Sequence, residues 1–177
     1  MTTEVVLQGS VIREKLEMLR ELFTDVPEAA RVYGPSATAI LESGLSVRTV
    51  DDDGASIATD MPYALGGAEA APSPGWLLSA AAASCTATVI ALRSAALDIE
   101  LTNLEVGVDT DSDARGLLGI GDDVSASMAG FRIRVKIGSA DATAEELRSI
   151  VLWAHDHSPV VSTIRAALPV DIEVDAA

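Results

Sequence analysis

The sequence predicts one α+β domain, and three observations carry that prediction. Apolar residues recur at helical spacing over 10–23, 74–97 and 141–157 of the 177-residue chain. Segments that alternate apolar and polar residues lie between them, at 101–110 and 126–137. There is no internal repeat, and no linker is long enough to separate domains. The expected organisation is an N-terminal helical arm over residues 1–28, followed by the main domain over 29–177.

Taken in order, SVIREKLEMLRELF places Val11, Ile12, Leu16, Leu19, Leu22 and Phe23 on one helical face, with Ser10 as the expected N-cap and Pro27 as the stop. Residues 30–50 read as extended chain, turning at Gly34-Pro35 and Ser43-Gly44, and DDDG at 51–54 reads as a hairpin turn before ASIATDM. LGGAEAAPSPG is a loop. A long helix then runs from about Pro74 to Leu97, with Leu78, Ala81, Cys85, Val89, Leu92 and Ala96 as its expected buried stripe. The two alternating segments are strands joined by the glycine-rich acidic loop DSDARGLLGIGDD, expected as a surface turn. In DATAEELRSIVLWAHDH, Thr143 and Glu146 have capping-box spacing. Ser158-Pro159 then restarts a short helix as N-cap and first helical residue, leading into an expected last strand, PVDIEV. Trp76 and Trp153 are expected in a core or an interface.

The charge balance narrows the function. With 27 acidic against 12 basic residues, a net charge of −15 and no basic run, the surface repels phosphate backbones, so nucleic acid is not an expected partner. A single cysteine closes no intrachain disulfide, which suits a reducing compartment, and the polar N-terminus does not read as a signal peptide. The apolar run 76–92 is rich in Ala, Ser and Thr and is read as a buried helix, not a membrane span. A soluble cytoplasmic protein is expected.

Several chemical signatures are missing. LGG and RGLLGIG lack dinucleotide or P-loop spacing and are explained as turn glycines. His155 and His157, two apart on a helix, diverge and do not make a zinc site. No GxSxG elbow singles out a serine. No cofactor and no metal is expected. That leaves Cys85, with no charge within seven positions on either side. Free cysteine is commonly a small buried hydrophobe, and it is also the strongest neutral-pH nucleophile among side chains when ionised. The residues alone favour the first role.

The phrase PSPGWLLSAAAASCTATVIALRSAALDIELTNLEV, entered through the glycine-glycine loop of LGGAEAAPSPGWLL and followed downstream by WAHDHSPVVSTIRAALPVDIEV, resembles the family of osmotically inducible protein C and organic hydroperoxide resistance proteins (OsmC/Ohr) over about residues 30–174. The resemblance implies a two-layer α+β sandwich, an antiparallel sheet around a long central helix, in an intertwined homodimer. It also implies a cytoplasmic thiol peroxidase, in which a peroxidatic cysteine reduces an organic hydroperoxide and a second cysteine closes a disulfide that an external thiol reopens. Cys85 falls on the peroxidatic position. Ser158 takes the place of the second cysteine, and Gly75 that of a glutamate at the entry to the long helix. No motif places the family's arginine; Arg48 and Arg31 are the nearby arginines. Because Ser158 cannot close a disulfide, the resemblance leads to a one-cysteine peroxidase using an external thiol, with Leu78, Val89, Val160 and Ile164 as apolar walls for a greasy hydroperoxide. The alternative is a non-catalytic relative that binds a small apolar ligand in the dimer-interface pocket. A third reading gives the N-terminal helix an assembly role.

Overall fold

The computed structural model describes residues 3–166 and 168–176. The chain is mixed helix and sheet with antiparallel strands, as expected. It falls into two compact units: the first is the chain up to Arg13 together with Ala82 onward, and the second is Glu14–Ala81.

Helix α1 spans Thr3–Asp25. It begins well before Ser10, so that residue is an interior helical position and not the cap. Gly9 lies within the helix, since an interior glycine costs only about 1 kcal/mol and a long run absorbs it. Pro27 opens a short 3-10 turn after the helix ends. The second unit also holds a meander of β1 (Ala37–Ser43), β2 (Ser46–Asp51) and β3 (Ser56–Thr59), paired antiparallel in that order. Gly44 and Gly54 take positive φ (56° and 90°) at its two turns, as the sequence predicts.

Helix α2 spans Pro74–Ala96 and passes from the second unit into the first. By length and composition it could cross a membrane. Its Ile90, however, lies in the core of the first unit. The buried stripe is Ala82, Thr86, Ile90 and Ser94, not the expected 78/81/85/89/92/96, and Leu78 and Leu92 are exposed. A spacing of four throughout is a narrow seam. Two of the four carry hydroxyls, and Ser94 satisfies its own by donating to the Ile90 carbonyl.

In the first unit, β4 (Leu101–Asp111) and β5 (Gly130–Ser139) form a long hairpin in which Leu104 faces Ile137, Val106 faces Val135 and Val108 faces Ile133. The alternation read from the sequence therefore sets the register. One face of the hairpin packs Leu104, Val106, Val135 and Ile137 on the core, and the Lys136 ammonium donates to Glu105 at 2.9 Å. Helix α3 (Ala114–Leu117) is one turn inside the connecting loop.

Helix α4 (Ala144–His157) opens with the predicted capping box: Thr143 Oγ1 accepts from the Glu146 amide, and Glu146 accepts from the Thr143 amide. Its Leu147, Ile150 and Ala154 close with Ile90 into the core. A buried Ile or Leu contributes about 1.5–3 kcal/mol. Helix α5 spans Pro159–Arg165. The expected last strand does not form: 168–176 carries no secondary structure, and Leu168, Val170, Ile172 and Val174 are all exposed. The alternation is that of a strand, but the segment pairs with no strand among the described residues.

Candidate functional site around Cys85

Two turns of chain meet at this site. Cys85 lies in the middle of α2, beside the buried stripe, and is partly exposed. Ser158 lies between α4 and α5. A proline disfavours helical backbone in the residue before it, so Ser158 is extended (φ −75°, ψ 115°), α4 stops, and Pro159 restarts the chain as α5. Ser158 is completely buried. Its Oγ accepts from the Val161 amide at 3.4 Å, which is the cap, and its hydroxyl donates to Cys85 Sγ at 3.2 Å. Residues 73 positions apart, picked out by the family resemblance, are thus in direct contact.

The α2–α4 seam fixes this meeting. Ile90 packs with Ile150 and Ala154, and earlier on α2 Cys85 meets Ser158 just past the end of α4, so numbers fall along α2 as they rise along α4. The helix end is held by an aromatic layer that the sequence reading did not anticipate. Trp153 and His157 stack at 3.9 Å with an interplanar angle of 10°, and the Arg93 guanidinium sits 4.7 Å from the Trp153 ring. His157 Nδ1 lies 2.7 Å from the Trp153 carbonyl. A carbonyl only accepts, so Nδ1 carries the hydrogen. Spacing of four on a helix was the available signal for the stack; Arg93 had none. One position beyond Cys85, the Thr86 hydroxyl is buried with no partner among the described residues.

The other predicted residues lie apart. Gly75 is exposed in the first turn of α2, within the second unit. Arg48, also in that unit, donates to Glu42 at 2.6 Å across the β1–β2 hairpin, and Arg31 is exposed after the 3-10 turn. Of the expected apolar walls, Val89 packs on the core, Val160 and Ile164 are half-buried, and Leu78 is exposed. Trp76 is exposed as well, contrary to a core position in this chain, and borders a cleft of about 340 Å³ with Asp60, Met61, Pro62, Glu69 and Pro72. Asp60 organises that loop. Its buried carboxylate accepts from the Ala70, Met61 and Ala68 amides, and these bonds hold it below the usual carboxylate range. An aspartate entering a Gly/Pro-rich loop is the cue that could have found it.

The sequence model described as "OsmC-like protein" matches residues 66–173, more than half of the chain. No curated protein was found to match the sequence. Among solved structures, the OsmC-like protein of Mycoplasma pneumoniae superposes with a TM-score of 0.66 at 17% identity, over 77% of this chain and 91% of that one. The organic hydroperoxide resistance protein OsmC of Legionella pneumophila gives 0.55 at 22% identity, over 76% and 91%. An organic hydroperoxide resistance protein from Elizabethkingia anophelis gives 0.57 at 21%, over 78% and 92%. These likenesses show a shared fold, and the match to the family's own sequence model shows that the chain belongs to the OsmC-like protein family.

Proposed function

We propose that this protein is a one-cysteine, thiol-dependent organic hydroperoxide reductase that works as a homodimer in the cytoplasm. The observation that carries the reading is the contact between Cys85 Sγ and the Ser158 hydroxyl at 3.2 Å, because it puts the residues in the family's two cysteine positions within bonding reach of each other. In the reaction, the Cys85 thiolate attacks the terminal oxygen of the hydroperoxide. The S–O bond forms as the O–O bond breaks, and the alkoxide leaves as the alcohol after taking a proton. An external thiol then attacks the sulfenic sulfur, expelling water and forming a mixed disulfide. A second thiol releases the disulfide and restores Cys85. Apolar side chains at Val89, Val160 and Ile164 favour a hydroperoxide with a hydrocarbon body.

The dimer is supported by what a single chain leaves uncovered. Leu78 and Leu92 of α2, Trp76 at its start and the alternating residues of 168–174 are exposed. Exposed apolar surface on that scale is characteristic of an interface. Sedimentation at micromolar concentration is expected to give twice the 18.3 kDa chain mass.

Stopped-flow mixing with cumene hydroperoxide tests the chemistry. The wild-type protein is expected to consume one equivalent without added thiol and to turn over with it, while Cys85→Ser does neither. Equal consumption by the two proteins would end this reading and leave the ligand-binding one, for which fatty acids should raise the thermal midpoint.

A further inference from the structure

The Ser158 hydroxyl is committed on both sides, and the direction of each bond matters. Oγ accepts from the Val161 amide, so its own hydrogen is directed away from that amide and toward Cys85 Sγ. Ser158 is fully buried, so no bulk water competes for that hydrogen. The sulfur is therefore provided with a fixed donor that cannot itself be oxidised. A second cysteine in the same place would be consumed in a disulfide, whereas a hydroxyl remains through every redox state of Cys85.

Resting on the function proposed above, we infer that Ser158 is a positioning residue that shields the Cys85 sulfenate from a second hydroperoxide and commits it to discharge by an external thiol. Two reactions compete for the sulfenate, and they use opposite properties of the sulfur. Overoxidation is nucleophilic. A sulfur lone pair attacks another hydroperoxide, an S–O bond forms, the O–O bond breaks, and the products are sulfinate and alcohol. Reduction is electrophilic. A thiolate attacks the sulfur, the S–O bond breaks, and the oxygen leaves as water once protonated. A hydroxyl hydrogen held against the sulfenate withdraws electron density from it. That slows the first reaction and assists the second. The tether is short and rigid, since Pro159 fixes the backbone on one side of Ser158 and the capped turn of α4 ends on the other.

The test is mass spectrometry of the full-length protein after cumene hydroperoxide, with dimedone to trap sulfenic acid. After one equivalent, wild type and Ser158→Ala should both give the dimedone adduct. Under excess hydroperoxide, Ser158→Ala should form sulfinic acid about tenfold faster, the effect of losing one hydrogen bond to a charged group. Addition of a small monothiol should rescue wild type more completely than the variant. Equal overoxidation rates would overturn the role of Ser158 while leaving the peroxidase reading intact. Failure of wild type to form any adduct would overturn both. Circular dichroism checks that Ser158→Ala folds. Should it not, Ser158→Cys decides the matter, because a thiol at this position must be driven by one equivalent of hydroperoxide to a disulfide, seen as loss of two hydrogens. Sulfinic acid accumulating instead would show that side chain 158 does not meet the reacting sulfur.

Discussion

Thr143 and Ser158 open consecutive helices with the same cap, a hydroxyl oxygen that accepts the amide three residues on, at 3.3 Å and 3.4 Å. The other half of each hydroxyl differs. Thr143, near solvent, donates to Glu146 Oε2 at 2.7 Å, a partner three positions away. Ser158, fully buried, donates to a sulfur on another helix. The first hydroxyl closes a local loop and explains only the start of α4. The second ties α5 to the middle of α2. A cap that is satisfied locally is a folding signal, and one that spends its hydrogen at long range also fixes where an atom of another helix sits.

The comparison can be broken most severely at the buried end. Ser158→Ala removes the cap and strands a buried amide, and should lower stability by about 2 kcal/mol, read from the urea midpoint. Thr143→Ala should cost about 1 kcal/mol, since water replaces part of what is lost at an exposed cap. Equal costs would erase the difference between the two sites. A double-mutant cycle sharpens it: Cys85→Ala and Ser158→Ala should couple by about 1 kcal/mol, whereas Cys85→Ala and Thr143→Ala should add to within about 0.5 kcal/mol. The smallest effect is one of acidity. The Thr143 amide, with its hydroxyl, holds the Glu146 carboxyl below the ordinary glutamate range. Stability from a carboxyl depressed on folding is complete above its unfolded-state value and is lost as pH falls through its folded-state value. Glu146→Gln should therefore flatten the acid limb of the stability profile. The Ser158 junction has no carboxylate in its cap, and Ser158→Ala should leave the shape of that limb unchanged.

Both caps were legible in the sequence, because Thr-x-x-Glu and Ser-Pro are local signals whose geometry needs no tertiary information. So were the strands β4 and β5, whose alternation runs through Leu104, Val106 and Val108 and through Phe131, Ile133, Val135 and Ile137; of these Leu104, Val106, Val135 and Ile137 pack on the core. The buried side of α2 was not. Apolarity pointed to Leu78 and Leu92, but the buried stripe takes in Thr86 and Ser94, which a count of apolar residues does not see. The segment 169–174 has the pattern of a strand and no partner strand among the described residues, so the pattern was read correctly and the element still did not form. The Cys85–Ser158 contact is long-range and rests on topology. Only the likeness to a family of known fold pointed to it, and the residues by themselves favoured an inert cysteine.

The layering of Trp153 on His157 gives the protein a built-in optical gauge. The chain holds two tryptophans, and Trp76 is the exposed one. With Trp76→Phe, all indole emission would come from a ring seated against Arg93 and His157, one residue short of Ser158. Any loosening of that helix end as the neighbouring sulfur gains an oxygen would then appear as a change in colour or quenching, in real time and without a label.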